Sequence, residues 1–268
     1  MPSRREYPVR RYPFIGVRIH VSLAAFPGSP DMSDHDPSFS VKLSALLHRS
    51  RRAPRIFLDG GACRGDFTAL LAAEFADAQI HAFEPDPSSS ACIEKRFADV
   101  SRVRVWNLAL HESVGGADLQ VHADPGTSSL LARPTGDRRY YASSDRVVET
   151  VPVPTVTLDA FIEEHAAAGV ALLKLDTQGS ELAILRGARR ALAGAAIDVI
   201  YTEFFVVPHY AGAPLLGDIM NHLAQFHYSL FDLFKGPNAR NGQLRFGDAI
   251  FVSEPFRAHH LDTSPDES

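Results

Sequence analysis

The stretch Phe57-Leu-Asp-Gly-Gly-Ala-Cys-Arg-Gly-Asp-Phe67 ends an apolar run at an acid, Asp59, and then places Gly60, Gly61 and Gly65 just before a helix-period segment. Glycines at such a turn take backbone angles closed to other residues and let a ligand approach the main chain, while Asp59 accepts hydrogen bonds from a cationic or amide-bearing partner. A second acid, Glu84 in His81-Ala-Phe-Glu-Pro-Asp86, follows Gly65 by 19 residues. That separation suits the two hydroxyls of a ribose. The dinucleotide fingerprint G-x-G-x-x-G is not met, because position 62 is alanine and an acid at the strand end opposes a pyrophosphate. A nucleoside with a positively charged amino-acid tail fits all three demands: a glycine floor, Asp59 near the ammonium and Glu84 on the ribose. S-adenosylmethionine is such a molecule. The competing readings are a strand-to-helix turn with no ligand, a nicotinamide-dependent oxidoreductase, and a non-catalytic S-adenosylmethionine-binding protein.

Such a turn needs a sheet edge to stand on. From Ile56 onward short β-rich apolar runs alternate with helix-period segments, which predicts an α/β fold with a mostly parallel sheet covered on both faces. Strands are expected at 56–58, 79–83, 103–108, 171–175, 197–202, 228–233 and 248–252, and helices at 67–76, 89–97, 158–167, 180–193 and 215–226. In such a sheet the ligand crevice lies beyond the carboxyl ends of the strands. Residues 1–54 read as an N-terminal extension that is solvated at first and carries a helix near 41–51, residues 55–256 as the catalytic domain, and 257–268 as a disordered tail; 115–154 reads as an irregular insertion with one or two strand pieces. With 45% apolar residues the 268-residue chain is globular, and a net charge of −5 with scattered Lys and Arg disfavours a nucleic-acid partner. Two cysteines are too few for a disulfide framework, and no apolar run reaches a membrane span of about 20 residues. A soluble, cytoplasmic protein acting on a small molecule is expected; no motif speaks to its oligomeric state.

The chain resembles class I S-adenosylmethionine-dependent methyltransferases and, more narrowly, the FkbM family. The likeness rests on Leu58-Asp-Gly-Gly-Ala-Cys-Arg-Gly65, Phe83-Glu-Pro-Asp86, Asn107-Leu-Ala-Leu110, Leu172-Leu-Lys-Leu-Asp-Thr-Gln-Gly-Ser-Glu-Leu182, Leu185-Arg-Gly-Ala188 and Gly247-Asp-Ala-Ile-Phe-Val252. The resemblance implies a three-layer Rossmann-like fold with a seven-stranded sheet whose last strand is antiparallel. It also implies methyl transfer to a hydroxyl of a sugar or secondary metabolite. Pro85 joins the cofactor-binding set through the second of these motifs.

Methyl transfer is an in-line displacement, so holding the nucleophile about 3 Å from the methyl carbon is the main requirement. An alcohol also needs a base or a metal to loosen its proton. Asp176 and Glu203 end neighbouring strands and are expected to share a cation such as Mg²⁺, by analogy with catechol-type enzymes; capping of the following helix is the plainer role for Asp176. Lys174 faces the same side as Asp176, either in an ion pair or in proton removal. His209, in Val207-Pro-His-Tyr-Ala-Gly212, is the candidate general base because an ordinary imidazole titrates near neutrality. Asn107 is placed for the adenine edge, with Ser128 or Ser129 lining the same cavity.

Overall fold

The computed structural model describes residues 37–134 and 146–262. Its strands in chain order are β1 (Ile56–Gly60), β2 (Gln79–Phe83), β3 (Val103–Trp106), β4 (Ala109–Leu110), β5 (Gly115–His122), β6 (Val147–Val156), β7 (Val170–Leu175), β8 (Ile197–Phe205), β9 (Tyr228–Lys235) and β10 (Phe246–Ser253). The helices are α1 (Pro37–Arg49), α2 (Asp66–Glu74), α3 (Pro87–Arg96), α4 (Leu158–His165), α5 (Glu181–Arg186), α6 (Arg189–Ala193), α7 (Leu216–Ala224) and α8 (Glu254–His260).

Seven strands form the main sheet in the order β3-β2-β1-β7-β8-β10-β9. Strands β3, β2, β1, β7 and β8 run parallel, and β10 runs antiparallel to both β8 and β9. Strands β1, β7 and β8 are buried at every position, as expected of strands covered on both faces, and this is why each is mostly apolar, broken only by residues such as Asp59, Lys174, Asp198 and Glu203. Alternation divides their side chains between two cores. Ile56, Leu58, Leu173 and Leu175 pack with α4, α5, α6 and α7 on one face, and Phe57 and Leu172 pack with α1, α2, α3 and α8 on the other. The chain order reverses between β1 and β7, which opens a crevice beyond their carboxyl ends.

Local signals set the helix ends. Asp86 caps α3 by accepting from the Ser88 and Ser89 amides, with Pro87 in the first turn. Thr157 caps α4 and Ser253 caps α8 in the same manner. The single helix expected over 180–193 is two, because the chain bends at Gly187. A Cβ there would lie 2.4 Å from the His111 carbonyl oxygen, so only glycine lets these backbones meet.

The one or two strand pieces expected in the insertion are β5 and β6, which pair antiparallel along their lengths and join β4 in a second sheet, β4-β6-β5. The tail expected to be disordered from 257 is helical to His260, anchored by the buried Phe256. Helix α1 places Leu43, Leu46 and Leu47 in the core, so this part of the extension is integral to the domain; the solvated segment expected before it lies outside the described residues, as do 263–268.

Candidate active site

The glycine turn is clamped from three directions. The amides of Gly61 and Ala62 both donate to the Phe83 carbonyl at 3.0 Å, the Asp176 amide donates to the Gly60 carbonyl at 3.1 Å, and the Lys174 ammonium donates to the Gly61 carbonyl at 2.7 Å. Gly61 and Gly65 hold φ of 74° and 77°, and a Cβ on Gly61 would lie 1.9 Å from the Asp176 carbonyl oxygen. The expectation that Gly60 also needs a special backbone angle is corrected: it is the last residue of β1 and has no positive φ. Its small size suits close neighbours instead, with a Cβ meeting Leu175, Lys174 and Leu110 at 3.1–3.2 Å. Cys63, at φ 50°, is the unforeseen left-handed residue of the turn.

Glu84 closes the far side. One carboxylate oxygen accepts from the Cys63 amide at 2.7 Å and the other from the Asp86 amide at 2.9 Å. Burial pushes this carboxyl up to about 7, against the opposing pull of those two backbone hydrogen bonds. Asn107 lies just beyond β3 and donates to the carbonyls of both Glu84 and Pro85 at 3.0 Å, so it braces the same loop. The amide of Glu84 in turn bonds the Trp106 carbonyl.

Asp59 differs from expectation. Its side chain is fully buried, one oxygen lies 3.1 Å from the Lys174 ammonium, and the other accepts from the Thr68 hydroxyl at 2.6 Å. Both oxygens are engaged inside the protein, which corrects the role of direct contact with a cofactor ammonium. Lys174 is buried, and burial alone favours its neutral form; the charges of Asp59 and Asp176 outweigh this and raise its pKa. That direction favours the ammonium form, so of the two expected roles the ion pair with Asp59 is the one these contacts support.

Asp176 remains half-exposed at the end of β7, 3.8 Å from the Lys174 ammonium. Between it and Glu203 lies the Gln178 amide, which donates to Asp176 at 3.0 Å and to Glu203 at 2.9 Å. Gln178 has a φ of 54°, a strained conformation for a side-chain-bearing residue. Its amide oxygen accepts from the Tyr210 hydroxyl at 2.8 Å, and its backbone carbonyl accepts from Ser129 at 2.7 Å. Glu203 is buried, and burial followed by the charges of Asp176, Glu181 and Asp248 drives its pKa well above the usual carboxylate range. Glu181 accepts from the Thr177 and Gly179 amides, fixing the loop that carries Gln178.

This donor set does not fit a divalent ion. Where Asp176 and Glu203 would need to converge on an ion as paired acceptors, the Gln178 amide N–H donor stands between them and bonds both. Among the described residues no group of three or more His, Cys, Asp or Glu is arranged to hold a metal. The expected shared cation is therefore corrected to a Gln178 bridge.

His209 is also unlike its expectation. The ring is buried, stacked on Phe205 at 4.9 Å and edge-on to Phe246 at 5.5 Å. Burial, then the charges of Arg245 and Arg133, lower its pKa to about 4. The ordinary imidazole pKa that made it a candidate base is lost. Ser128 bonds the His122 amide and serves the hairpin. Gln178 was missed because glutamine has no titratable group and a positive φ leaves no mark in sequence.

The Methyltransferase FkbM domain family matches residues 59–230. Among characterised proteins, the 2-O-methyltransferase NoeI of Sinorhizobium fredii (strain NBRC 101917 / NGR234) is 26% identical over 197 residues, covering 71% of this chain and 80% of that protein. Among solved structures, magnesium protoporphyrin IX methyltransferase from Synechocystis PCC 6803 with bound SAM is 12% identical with a TM-score of 0.45, over 81% of this chain and 79% of that one. An rRNA methylase from Streptococcus thermophilus is 11% identical with a TM-score of 0.44, over 79% and 94%.

Proposed function

The chain belongs to the FkbM methyltransferase family, whose members use S-adenosylmethionine, and from that premise we propose that it methylates a hydroxyl of a small sugar-containing or secondary-metabolite acceptor. The observation that carries the reading is the turn at 61–65, closed by the Glu84 carboxylate through the Cys63 amide at the reversal of strand order. The similarity to a 2-O-methyltransferase supports oxygen as the methyl acceptor. With Cys63 and Cys92 both free, a reducing, cytoplasmic compartment is proposed; among the described residues no helix is long and apolar enough to cross a membrane.

The residues fit the cofactor. Each oxygen of Glu84 holds one backbone N–H and keeps acceptor capacity for ribose hydroxyls. Gly61 and Gly65 keep the floor bare, and Pro85 and Asn107 flank the base side. When bound, S-adenosylmethionine supplies a sulfonium-activated methyl group. Lys174 holds the floor by its bond to the Gly61 carbonyl and neutralises Asp59 and, in part, Asp176. Asp176 is the group assigned to accept the acceptor's hydroxyl proton: it is half-exposed, Gln178 fixes one of its oxygens, and the other lies 3.8 Å from the Lys174 ammonium. Tyr210 and Ser129 fix Gln178. Most of the rate enhancement then comes from alignment, with proton acceptance contributing about 10²–10⁴-fold.

The test is incubation with S-adenosylmethionine and a panel of glycosides and polyols, followed by mass spectrometry. Gain of one CH₂ unit on oxygen, lost in Asp176→Asn, is the expected result. Cofactor binding with no product from any hydroxylated acceptor would leave a non-catalytic binding protein and refute the assignment.

A further inference from the structure

The side-chain amide of Gln178 is held at both ends. Its N–H groups donate to Asp176 at 3.0 Å and to Glu203 at 2.9 Å, and its oxygen accepts from the Tyr210 hydroxyl at 2.8 Å. That hydroxyl lies equally close, 2.8 Å, to the Thr127 carbonyl in the 3-10 turn at Pro125–Thr127. Tyr210 is fully buried in the loop that follows β8. Its ring centroid is 5.9 Å from that of Phe205 and 4.1 Å from the Arg133 guanidinium. Gly179 approaches it from the loop after β7, where a Cβ would stand 3.5 Å from the Tyr210 ring. Main-chain bonds close the same place, from the Ala211 amide to the Ala132 carbonyl at 2.7 Å and from the Ala213 amide to the Tyr210 carbonyl at 3.2 Å. The ring is thus fixed by packing on several sides.

A carboxamide carries its donors on one edge and its acceptor on the other, and half a turn about the last side-chain bond exchanges them. With the oxygen turned toward Asp176 it would oppose that carboxylate, and Glu203 would lose its donor. Among the described contacts, the Tyr210 O–H is the one that donates to the amide oxygen. Ser129 holds the main chain of Gln178 by its bond to the backbone carbonyl at 2.7 Å. Glu181 holds the flanking residues through the Thr177 and Gly179 amides. These bonds set the backbone at φ 54°, and the direction of the carboxamide is left to Tyr210.

We propose that Tyr210 is a positioning residue for the methyl transfer: its hydroxyl selects the edge of the Gln178 carboxamide that faces Asp176, and through it the direction of the proton-accepting carboxylate. The proposal deepens the assignment of Asp176 above and rests on it. Tyr210 acts at one remove from the reacting atoms, since Gln178 stands between it and Asp176. Because the same hydroxyl meets Thr127, a carboxylate at the end of β7 takes its aim from two segments that lie outside the seven-stranded sheet.

The experiment uses the full chain saturated with S-adenosylhomocysteine and labelled with heavy nitrogen, the Gln178 side-chain amide being identified in the NMR spectrum by its loss in Gln178→Leu. In the native protein its protons are expected to exchange with water far more slowly than those of exposed glutamines. Tyr210→Phe removes one oxygen and keeps the ring; it is expected to speed that exchange tenfold or more while affinity for S-adenosylhomocysteine stays within twofold. In turnover with S-adenosylmethionine and the glycoside or polyol that the native enzyme methylates, Tyr210→Phe is expected to lower kcat about tenfold, with KM for the cofactor within twofold. In the Gln178→Leu background the same change is expected to cost less than twofold, because the residue it acts through is gone. An unchanged kcat in Tyr210→Phe overturns the proposal, as do losses that multiply in the double variant. A native Gln178 amide that exchanges as fast as exposed ones overturns it too, and this measurement decides the matter should Tyr210→Phe not fold. Absence of any methylated product from the native chain refutes the hydroxyl-methylation reading instead, so the two failures are distinguishable.

Discussion

Affinity for the cofactor is expected to rise with pH across neutrality, because the carboxylate proposed to take the ribose hydroxyls is held near pKa 7 by burial. A ribose hydroxyl donates to an ionised carboxylate, so the binding-competent fraction is the ionised one. For a pKa of about 7 that fraction is roughly one-tenth at pH 6 and roughly nine-tenths at pH 8, which weakens the apparent affinity about tenfold at the lower pH. Calorimetric titration with S-adenosylhomocysteine at pH 6, 7 and 8 reads this directly, and Glu84→Gln is expected to bind more weakly with little slope. The sign in the free protein is the opposite. A carboxyl raised from 4.5 to about 7 keeps its proton in the folded state while the unfolded chain ionises, so stability is fully present below pH 4.5 and declines until about pH 7. The loss is of order 3 kcal/mol at 1.36 kcal/mol per pKa unit, measurable as the difference between native and Glu84→Gln in urea midpoints from pH 5 to 8. An affinity flat from pH 6 to 8, or the same slope in the variant, refutes the reasoning.

Lys174→Met leaves Asp59 and its charge buried without a counterion, and a loss of about 3–5 kcal/mol is expected by urea denaturation; adding Asp59→Asn is expected to recover part of it. Gly61→Ala forces a Cβ to 1.9 Å from a backbone oxygen at φ 74°, and differential scanning fluorimetry is expected to show a much lower melting temperature with cofactor binding abolished. Asp176→Asn is expected to lower kcat by about 10²–10⁴-fold while S-adenosylhomocysteine affinity changes less than threefold in calorimetry. Treatment of the native enzyme with EDTA is expected to leave the rate unchanged, consistent with the Gln178 bridge between Asp176 and Glu203.

The main sheet was legible because strands buried on both faces must be apolar throughout, and Val170–Leu175 and Ile197–Phe205 are so nearly apolar that Lys174 and Glu203 stand out. The second sheet was legible only as one or two strand pieces without bounds or pairing. Strand β6 carries Pro152 and Pro154 and leaves most of its first half exposed, so neither a buried run nor a clean alternation marks it. Helix α8 had its signals, Ser253 before Glu254 and Pro255, but they lay beside a polar tail that hid them. At the site, Glu84 lies at the end of β2 against the glycine turn, where its carboxylate accepts from the Cys63 amide. The partners of Asp59 were not legible, since Lys174 comes from a strand over a hundred residues away, and the titration of His209 depends on aromatic neighbours no local pattern specifies.

The hairpin of β5 and β6 is rooted on β4, which itself follows directly from the cofactor-side strand β3, while the residues after its first arm, through Ser129 and Arg133, touch Gln178 and His209. A module outside the seven-stranded frame is thus tied at two points to the residues proposed for the chemistry. A relative's hairpin exchanged between Ala109 and Val156 would carry a new clientele onto an unaltered methyl-donor cradle, and substrate range in this lineage could diversify by trading that appendage alone.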